Sequence, residues 1–545
     1  MLMNGADAAA KCLELAGVTT VYGYPGVAIC PVFDSLLNTD IHTVLVRSEA
    51  NAAHAASGEA RISGKPGVCI CTSGPGATNL ITGIATAYMD SIPMVCITGQ
   101  VNSDLIGGDV FQEADITGAA ESFVKYSYLV RKASDIPRIF KEAFHIASTG
   151  RRGPVLIDIP FDIQNQEVRK FDWPEEVNLR TYKPTFYGNP MQIRKVVTAL
   201  ENCERPILYT GGGVHLCQAR ELVRAFSEKF NIPVVSTMMG IGAMPSKHPL
   251  YMGMAGNNGN LAANKAINES DTVILVGARI ADRAVNNPGK MMANKTLIHI
   301  DVDPAEIGKN AHCDLPIVGD AKAIFEVMLK EEINMPDLSG WVSELQTYRK
   351  KKSRRVTPER FTDPAYFVQK LSSAMDDDAV YVADVGQNQI WSCANVIMRE
   401  GRFLTSGGMG TMGYSLPAAI GAKMANRDTQ VVSVSGDGGF QMAMMELATM
   451  NQENLDLKIV VLNNSTLGMV REAQKFSFGE RYTMVDLNGG PDYEQLAKAY
   501  RLKYLKIENN DEVDSTVKKF LKTKGSVLLE VIVDEDGIVR KGDRK

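Results

Sequence analysis

Short uninterrupted apolar runs recur along the chain. Each ends in a glycine-rich or polar turn, and most are followed by a helical pattern. Runs of this kind read as strands buried on both faces, the signature of parallel sheets covered by helices. In the first third the pattern predicts helix 6–16, strand 20–23, helix 29–37, strand 43–46, helix 49–62, strand 68–72, helix 77–89 and strand 94–98, with a closing strand 154–159. Strands 207–210, 234–236, 272–276 and 297–301 mark a second unit. Strands 379–383, 431–435, 458–462 and 527–533 mark a third, with helices 416–425 and 441–452. Residues from about 166 to 189 and from about 334 to 364 lack periodicity and read as linkers, the second one charged. The fold class is therefore α/β, with three doubly wound parallel-sheet domains at 1–165, 189–335 and 361–545. In such sheets ligands bind outside the C-terminal strand ends.

Composition narrows the function without naming it. At 545 residues the chain exceeds one core. Basic and acidic residues number 58 and 63, a net charge of −5, so nothing points to nucleic acid or a membrane surface. The basic runs Lys350-Lys351-Lys352 and Arg354-Arg355 read as solvated linker. No apolar stretch is long enough to span a bilayer. Asn4-Gly5-Ala6-Asp7 leads straight into a helix pattern, so no signal peptide is expected. Nine scattered cysteines, mostly inside apolar patterns, fit a reduced cytoplasmic setting. Cys69 and Cys71 share a strand face but have no partners at zinc spacing, and read as core.

The strongest candidate chemistry lies in the last unit. Strand 431–435 runs into Gly436-Asp437-Gly438-Gly439, and strand 458–462 into Asn463-Asn464. A strand, turn, helix, strand unit would bring Asp437 and Asn464 to one sheet edge. A carboxylate beside an amide oxygen is hard-oxygen ligation, suited to magnesium. The glycines let a diphosphate approach the backbone. A Gly-Asp turn alone is common, and it is Asn463-Asn464 at the next strand end that favours a site. Ser73-Gly74-Pro75-Gly76 could hold a phosphate or be only a tight turn; it lacks the Lys-Ser/Thr ending of a nucleotide loop. Glu49, at a strand's C-terminal end, could be functional or merely favourable to its helix dipole. Thr405 to Tyr414 carries four glycines before a helix, implying close backbone approach to a bulky group, with Met412 as an apolar prop or as core. Gly211-Gly212-Gly213, Gly277-Ala278-Arg279 and His299-Ile300-Asp301-Val302-Asp303 suggest a second nucleotide-like ligand in the middle unit. None of the seven histidines lies beyond residue 312, which disfavours a histidine-based hydrolase or metal site in the last unit.

Together these motifs resemble the thiamine-diphosphate enzyme family, and within it the acetolactate synthase (acetohydroxyacid synthase) catalytic subunits. Further matches are Gly23-Tyr24-Pro25-Gly26, Ile97-Thr98-Gly99-Gln100-Val101, Phe111-Gln112-Glu113, Leu416-Pro417-Ala418-Ala419-Ile420-Gly421 and Leu467-Gly468-Met469-Val470. The resemblance spans nearly the whole chain. It implies pyrimidine-binding, middle and diphosphate-binding domains in that order. It implies thiamine diphosphate held by Pro25, Gly26, Gly386, Gln387, Gly410, Met412, Gly436, Asp437, Gly438, Gly439, Asn464, Leu467, Gly468 and Met469, with Mg2+ on Asp437, Asn464 and Thr466. Glu49, Gln112 and Met412 would be the catalytic residues: Glu49 bonds the aminopyrimidine, Met412 wedges the cofactor into its bent shape, and Gln112, beside Phe111, arrives from the partner subunit. Gly211, Gly212, Gly213, Thr237, Met238, Gly253, Gly277, Arg279, Arg283, Asp301 and Asp320 would bind FAD, which in that family has no net redox role.

The implied reaction is decarboxylation of pyruvate and carboligation of its two-carbon unit to a second 2-oxo acid, giving 2-acetolactate. The implied partners are small 2-oxo acids and further copies in a dimer or tetramer, with a regulatory small subunit an open addition. Other readings are action on another 2-oxo acid or a cyclic diketone, and a non-catalytic cofactor-binding scaffold. The chain departs from the family at Ala473, where those enzymes carry a tryptophan that helps select 2-oxobutyrate. It also departs at Val27 (glycine), Asn102 (proline), Asn388 (histidine), Ala255 (histidine) and the segment 257–260.

Overall fold

The computed structural model describes residues 3–281, 287–349 and 360–539. Three six-stranded sheets, every pairing parallel, carry the chain. The first holds β1 Thr20–Tyr24, β2 His42–Leu45, β3 Gly67–Cys71, β4 Met94–Gln100, β5 Tyr126–Leu129 and β6 Pro154–Pro160, in the order β2-β1-β3-β4-β6-β5. The second holds β7 Pro206–Thr210, β8 Val234–Ser236, β9 Tyr251–Met254, β10 Thr272–Val276, β11 Thr296–Asp301 and β12 Leu315–Val318, ordered β12-β11-β10-β7-β8-β9. The third holds β13 Val380–Ala383, β14 Arg402–Leu404, β15 Val431–Gly436, β16 Lys458–Asn463, β17 Lys503–Ile507 and β18 Val527–Ile532, ordered β14-β13-β15-β16-β18-β17.

Each sheet feeds alternate residues to two separate cores. In β3, Val68 and Ile70 face one and Cys69 and Cys71 the other, so these two cysteines are core residues. The first and third sheets are locked together by two helices, Glu49–Ser63 and Ser415–Ala425. A Cβ on Gly58 would lie 2.0 Å from the Ala418 carbonyl oxygen, and one on Gly421 1.8 Å from that of Ala55. Glycine alone permits so close a crossing. Around it Arg61 pairs with Asp90 at 2.7 Å, with both side chains buried, and the Asp90 carboxylate accepts from the backbone N–H groups of Gly407 and Gly408.

Two expectations need correction. The charged segment from residue 334 is not all linker. It holds the helix Ser339–Arg349, whose Trp341 and Leu345 complete the middle domain's core. With Val342 they form a stripe of three buried residues, hidden among polar neighbours. The basic runs that follow lie outside the described residues. The helix expected over 441–452 starts earlier, at Asp437, inside the Gly-Asp-Gly-Gly turn itself. It is broken by a 3-10 turn at Met444–Glu446 and resumes at Leu447–Gln452. The two glycines, read as a turn, form the helix's first turn instead. Among the described residues no helix is long and apolar enough to cross a membrane.

Candidate functional site

The expected site residues gather at two sheet edges. At the C-terminal edge of the first sheet, Pro25 and Gly26 follow β1, and a Cβ on Gly26 would fall 2.5 Å from Thr72 beyond β3. Glu49 opens its helix just past β2. Its Oε2 accepts from Asn79 Nδ2 at 3.1 Å, and a Cβ on Gly76 would come within 3.4 Å of Oε1. Gln112 adopts the left-handed backbone, φ 60°, and packs its main chain on Gly74, which has φ 58°. The Gly-rich turn, Glu49 and Gln112 thus form one cluster. Its surroundings carry bare apolar side chains: Phe111 is 87% exposed and Val27 77%.

At the C-terminal edge of the third sheet, β15 and β16 pair with Gly436 opposite Leu462, which sets Asp437 level with Asn463, and the Asn464 backbone N–H stands by its carboxyl. Asp437 is buried. Its Oδ1 accepts from the Gly438 N–H at 2.8 Å, while Oδ2 has no hydrogen-bond partner among the described residues. Burial pushes its carboxyl up to about 6, against the pull of nearby backbone N–H groups of Gly438, Ser465 and Asn464. A buried carboxylate oxygen without a donor is a costly arrangement unless something cationic fills it. The Thr466 hydroxyl donates to the Val485 carbonyl at 3.0 Å, and both its lone pairs and the Thr466 carbonyl are left to offer a metal. Asn464 Nδ2 donates to Gln387 Oε1 at 3.3 Å. Carboxylate, amide and carbonyl oxygens fit a hard divalent cation.

The glycines around this point serve two different ends. Among the described residues, Gly386 has φ 100° with open space where a Cβ would stand, and Gly410 has φ 73° with nothing nearer than 3.9 Å. These two leave room for a ligand. Gly468 and Gly439 instead make room for neighbours, since Cβ atoms there would lie 2.0 Å from Gln387 Oε1 and 2.5 Å from Asp384 Oδ1. Gly438 is the meeting point of Leu467 and Met412, whose Cδ2 and Cε would stand 2.8 and 3.4 Å from its Cβ. Met469 lies elsewhere, in the wall of the cleft described next.

That cleft, of about 440 Å3, runs between all three domains. Gly212, Gly213, Thr237, Met238, Gly277, Arg279, Asp301 and Asp320 line it, together with Ala255 and Asn257. Burial pushes the Asp301 carboxyl up to about 6. Arg279 spans to the first domain, donating to the Met89 carbonyl at 2.9 Å. Not every glycine expected here opens on the cleft. Gly211 packs on the Gly277 carbonyl, and the space beside Gly253 is filled by Asn260. Arg283 lies outside the described residues.

The sequence reading missed two buried carboxylates beside the third-sheet site. Asp384 accepts from the N–H groups of Val385, Gly413 and Ser415 at 2.9 to 3.0 Å, fixing the loop directly after Met412. Its one signal was an acidic residue at the end of β13. Glu472 accepts from Gln387 Nε2 at 3.1 Å and from the Val539 N–H at 3.0 Å. Nothing in its helical surroundings marked it. Asn388, at a departure from the family pattern, turns its amide to the carbonyls of Asp384 and Val434 and is part of the core.

All three domains of the chain have counterparts among known proteins. Residues 3–119 match the thiamine pyrophosphate enzyme N-terminal TPP binding domain, 193–328 the central domain and 384–531 the C-terminal TPP binding domain. The chain is 42% identical over 552 residues to a probable acetolactate synthase large subunit of Methanococcus aeolicus, covering 98% of this chain and 92% of that one. It is 42% identical over 550 residues to the acetolactate synthase large subunit of Corynebacterium glutamicum (98% and 88% covered) and 41% over 549 to that of Haemophilus influenzae (98% and 95%). With all three domain types matched in order and the likeness running through nearly its whole length, the chain belongs to the acetolactate synthase large-subunit family of thiamine pyrophosphate enzymes.

Proposed function

We propose that the chain is a catalytic subunit that decarboxylates pyruvate and joins the two-carbon unit to a second 2-oxo acid, giving 2-acetolactate. The observation that carries this reading is the buried Asp437 Oδ2, without a hydrogen-bond partner among the described residues and close to the Asn464 backbone, in a chain that matches the family throughout. Asp437, Asn464 and the Thr466 carbonyl would hold Mg2+. Gly386, Gly410 and Gly436 would let the diphosphate and rings approach the backbone, and Met412 with Leu467 would support them. Thiamine diphosphate, when bound, supplies the electron sink that allows a 2-oxo acid to lose carbon dioxide. Glu49 would hold the aminopyrimidine and its proton, and Gln112 would face the substrate.

Glu49 and Asp437 sit on different sheets, and among the described residues no hydrogen bond or ion pair joins the Glu49 side chain to the third domain. Each cluster is half of a site. Exposed Phe111 and Val27 at one, and Met484, 92% exposed, near the other, favour completion by a second copy in a homodimer or a tetramer built from dimers. The relatives are named large subunits, which supports a smaller regulatory partner. Incubation with pyruvate, Mg2+ and thiamine diphosphate, with and without 2-oxobutyrate, tests the reaction. Absence of 2-acetolactate, with another product from another 2-oxo acid or a cyclic diketone, overturns it. No turnover of any such substrate would leave a cofactor-binding scaffold.

Two further outcomes follow. The central cleft has the size and the glycine-lined, acidic-edged character for a dinucleotide, so FAD is proposed there. Purified protein should be yellow, with one flavin per chain released on denaturation. A colourless, fully active preparation overturns the flavin. Ala473, half-buried in the helix Gly468–Ser477, stands where the family has tryptophan. Ala473→Trp is expected to raise the preference for 2-oxobutyrate over pyruvate as acceptor by about tenfold or more, the scale of one added apolar contact. An unchanged product ratio at equal substrate concentrations would remove Ala473 from acceptor selection.

A further inference from the structure

The helix Glu49–Ser63 begins without a capping side chain of its own: Ser48 stands at the N-cap and makes no side-chain cap bond. Its entry is held from another domain. Glu446, buried at the 3-10 turn after Asp437's helix, reaches across to it. Glu446 Oε1 accepts from the Arg47 N–H at 2.9 Å and from Asn51 Nδ2 at 2.9 Å. One donor lies two residues before Glu49 and the other two residues after it. The other oxygen is tied as well, accepting from the Thr449 hydroxyl at 2.6 Å, and that hydroxyl lies 3.1 Å from the Leu45 carbonyl at the end of β2. So one carboxylate grips both sides of the residue whose placement matters most, and its own rotamer is fixed by Thr449.

We propose that Glu446 is the positioning residue for Glu49: by hydrogen bonds to Arg47 and Asn51 it sets the first turn of the Glu49–Ser63 helix, and so the height of the Glu49 carboxylate over its sheet edge. The chain leaving Asp437 reaches this brace through one short helix and the 3-10 turn that follows it. One stretch of chain thus holds the proposed metal ligand at one end and steadies the proton-handling residue at the other. The function is a matter of hydrogen bonding rather than of charge, because both donors meet a single oxygen that an amide also has. The inference rests on the role given to Glu49 above, and its test separates the two.

Glu446→Ala is expected to lower the rate of thiazolium C2 proton exchange in the holoenzyme by about tenfold or more, since displacements well under 1 Å at a reacting group are felt on that scale. Thiamine diphosphate affinity should change by less than about threefold, because the ligands around Asp437 are untouched. Glu446→Gln should restore exchange to near the parent rate. In parallel, amide deuterium exchange of the apoprotein should show residues 45–52 losing protection in Glu446→Ala and keeping it in Glu446→Gln, with the thermal midpoint reporting that each variant folds. Parent-like C2 exchange in Glu446→Ala overturns the proposal. Equal slowing in both variants also overturns it, by making the charge the active property. If the parent itself shows no C2 exchange, the role of Glu49 fails. The amide protection pattern then still decides the brace: parent-like protection in Glu446→Ala overturns it.

Discussion

Glu49→Gln is expected to bind thiamine diphosphate and Mg2+ as the parent does, and to exchange the thiazolium C2 proton about 10²–10⁴-fold more slowly, the range lost with a well-placed acid–base group. Binding should survive because nothing around Asp437 changes: the proposed cation and diphosphate ligands lie on the third sheet and Glu49 on the first. The fold should survive because the residue is only half-buried and the amide oxygen can still accept from Asn79 Nδ2, as Oε2 does now at 3.1 Å. What is lost is the second oxygen, the one that faces Gly76, as an anionic acceptor. An amide there can donate or accept but cannot carry the proton. Quenched deuterium exchange at C2, read by proton NMR, measures the effect directly, and turnover should fall in proportion. Unchanged exchange would remove Glu49 from proton control and with it the site's proposed chemistry.

Interior strands were easy to read in the sequence because a strand buried on both faces is apolar at every position. The runs 431–435 and 458–462 became β15 and β16 within one residue. Apart from β2, read as 43–46, edge strands were not. β5, β12 and β17 are partly exposed along most of their length, and their mixed sequences give neither a solid run nor a clean alternation. The helix Ser339–Arg349 escaped for a related reason, since a stripe of three apolar residues is narrow against charged neighbours. At the site, glycines and the Asp-Asn pair were visible because their chemistry is local to a strand end. Asp384, Glu446 and Glu472 were not. Each is defined by backbone N–H or amide donors far away in the chain, such as Gly413, Arg47 and Val539, and only folding brings those together. The roles of individual glycines were equally hidden. Gly386 and Gly439 look alike in sequence, but one leaves open space and the other gives way to Asp384.

Asp437→Asn should produce opposite changes in the apoprotein and the holoprotein. In the apoprotein the parent's carboxyl is pushed up to about 6, mainly by burial, so folding disfavours its ionised form. The sign follows: the native state holds this proton more tightly than the unfolded chain, so apoprotein stability contributed by the group is full below about pH 4 and is lost as pH rises to about 6. Two pKa units correspond to about 2–3 kcal/mol. An asparagine keeps the acceptor for the Gly438 N–H and carries no charge to bury. The variant apoprotein should therefore be as stable as the parent at pH 4 and more stable at pH 7. The holoprotein should show the reverse. The parent gains about 2.7 kcal/mol when the cofactor with its cation is present at a hundred times Kd. The variant lacks the anionic oxygen that the cation would fill, and should gain little from the same addition. Thermal midpoints at pH 4 and pH 7, each with and without Mg2+ and thiamine diphosphate, distinguish the cases. Equal cofactor-induced stabilisation of parent and variant would exclude Asp437 as the metal ligand, even if the variant's apoprotein were the more stable. A less stable apoprotein would instead mean that Oδ2 already has a partner that a neutral amide cannot replace.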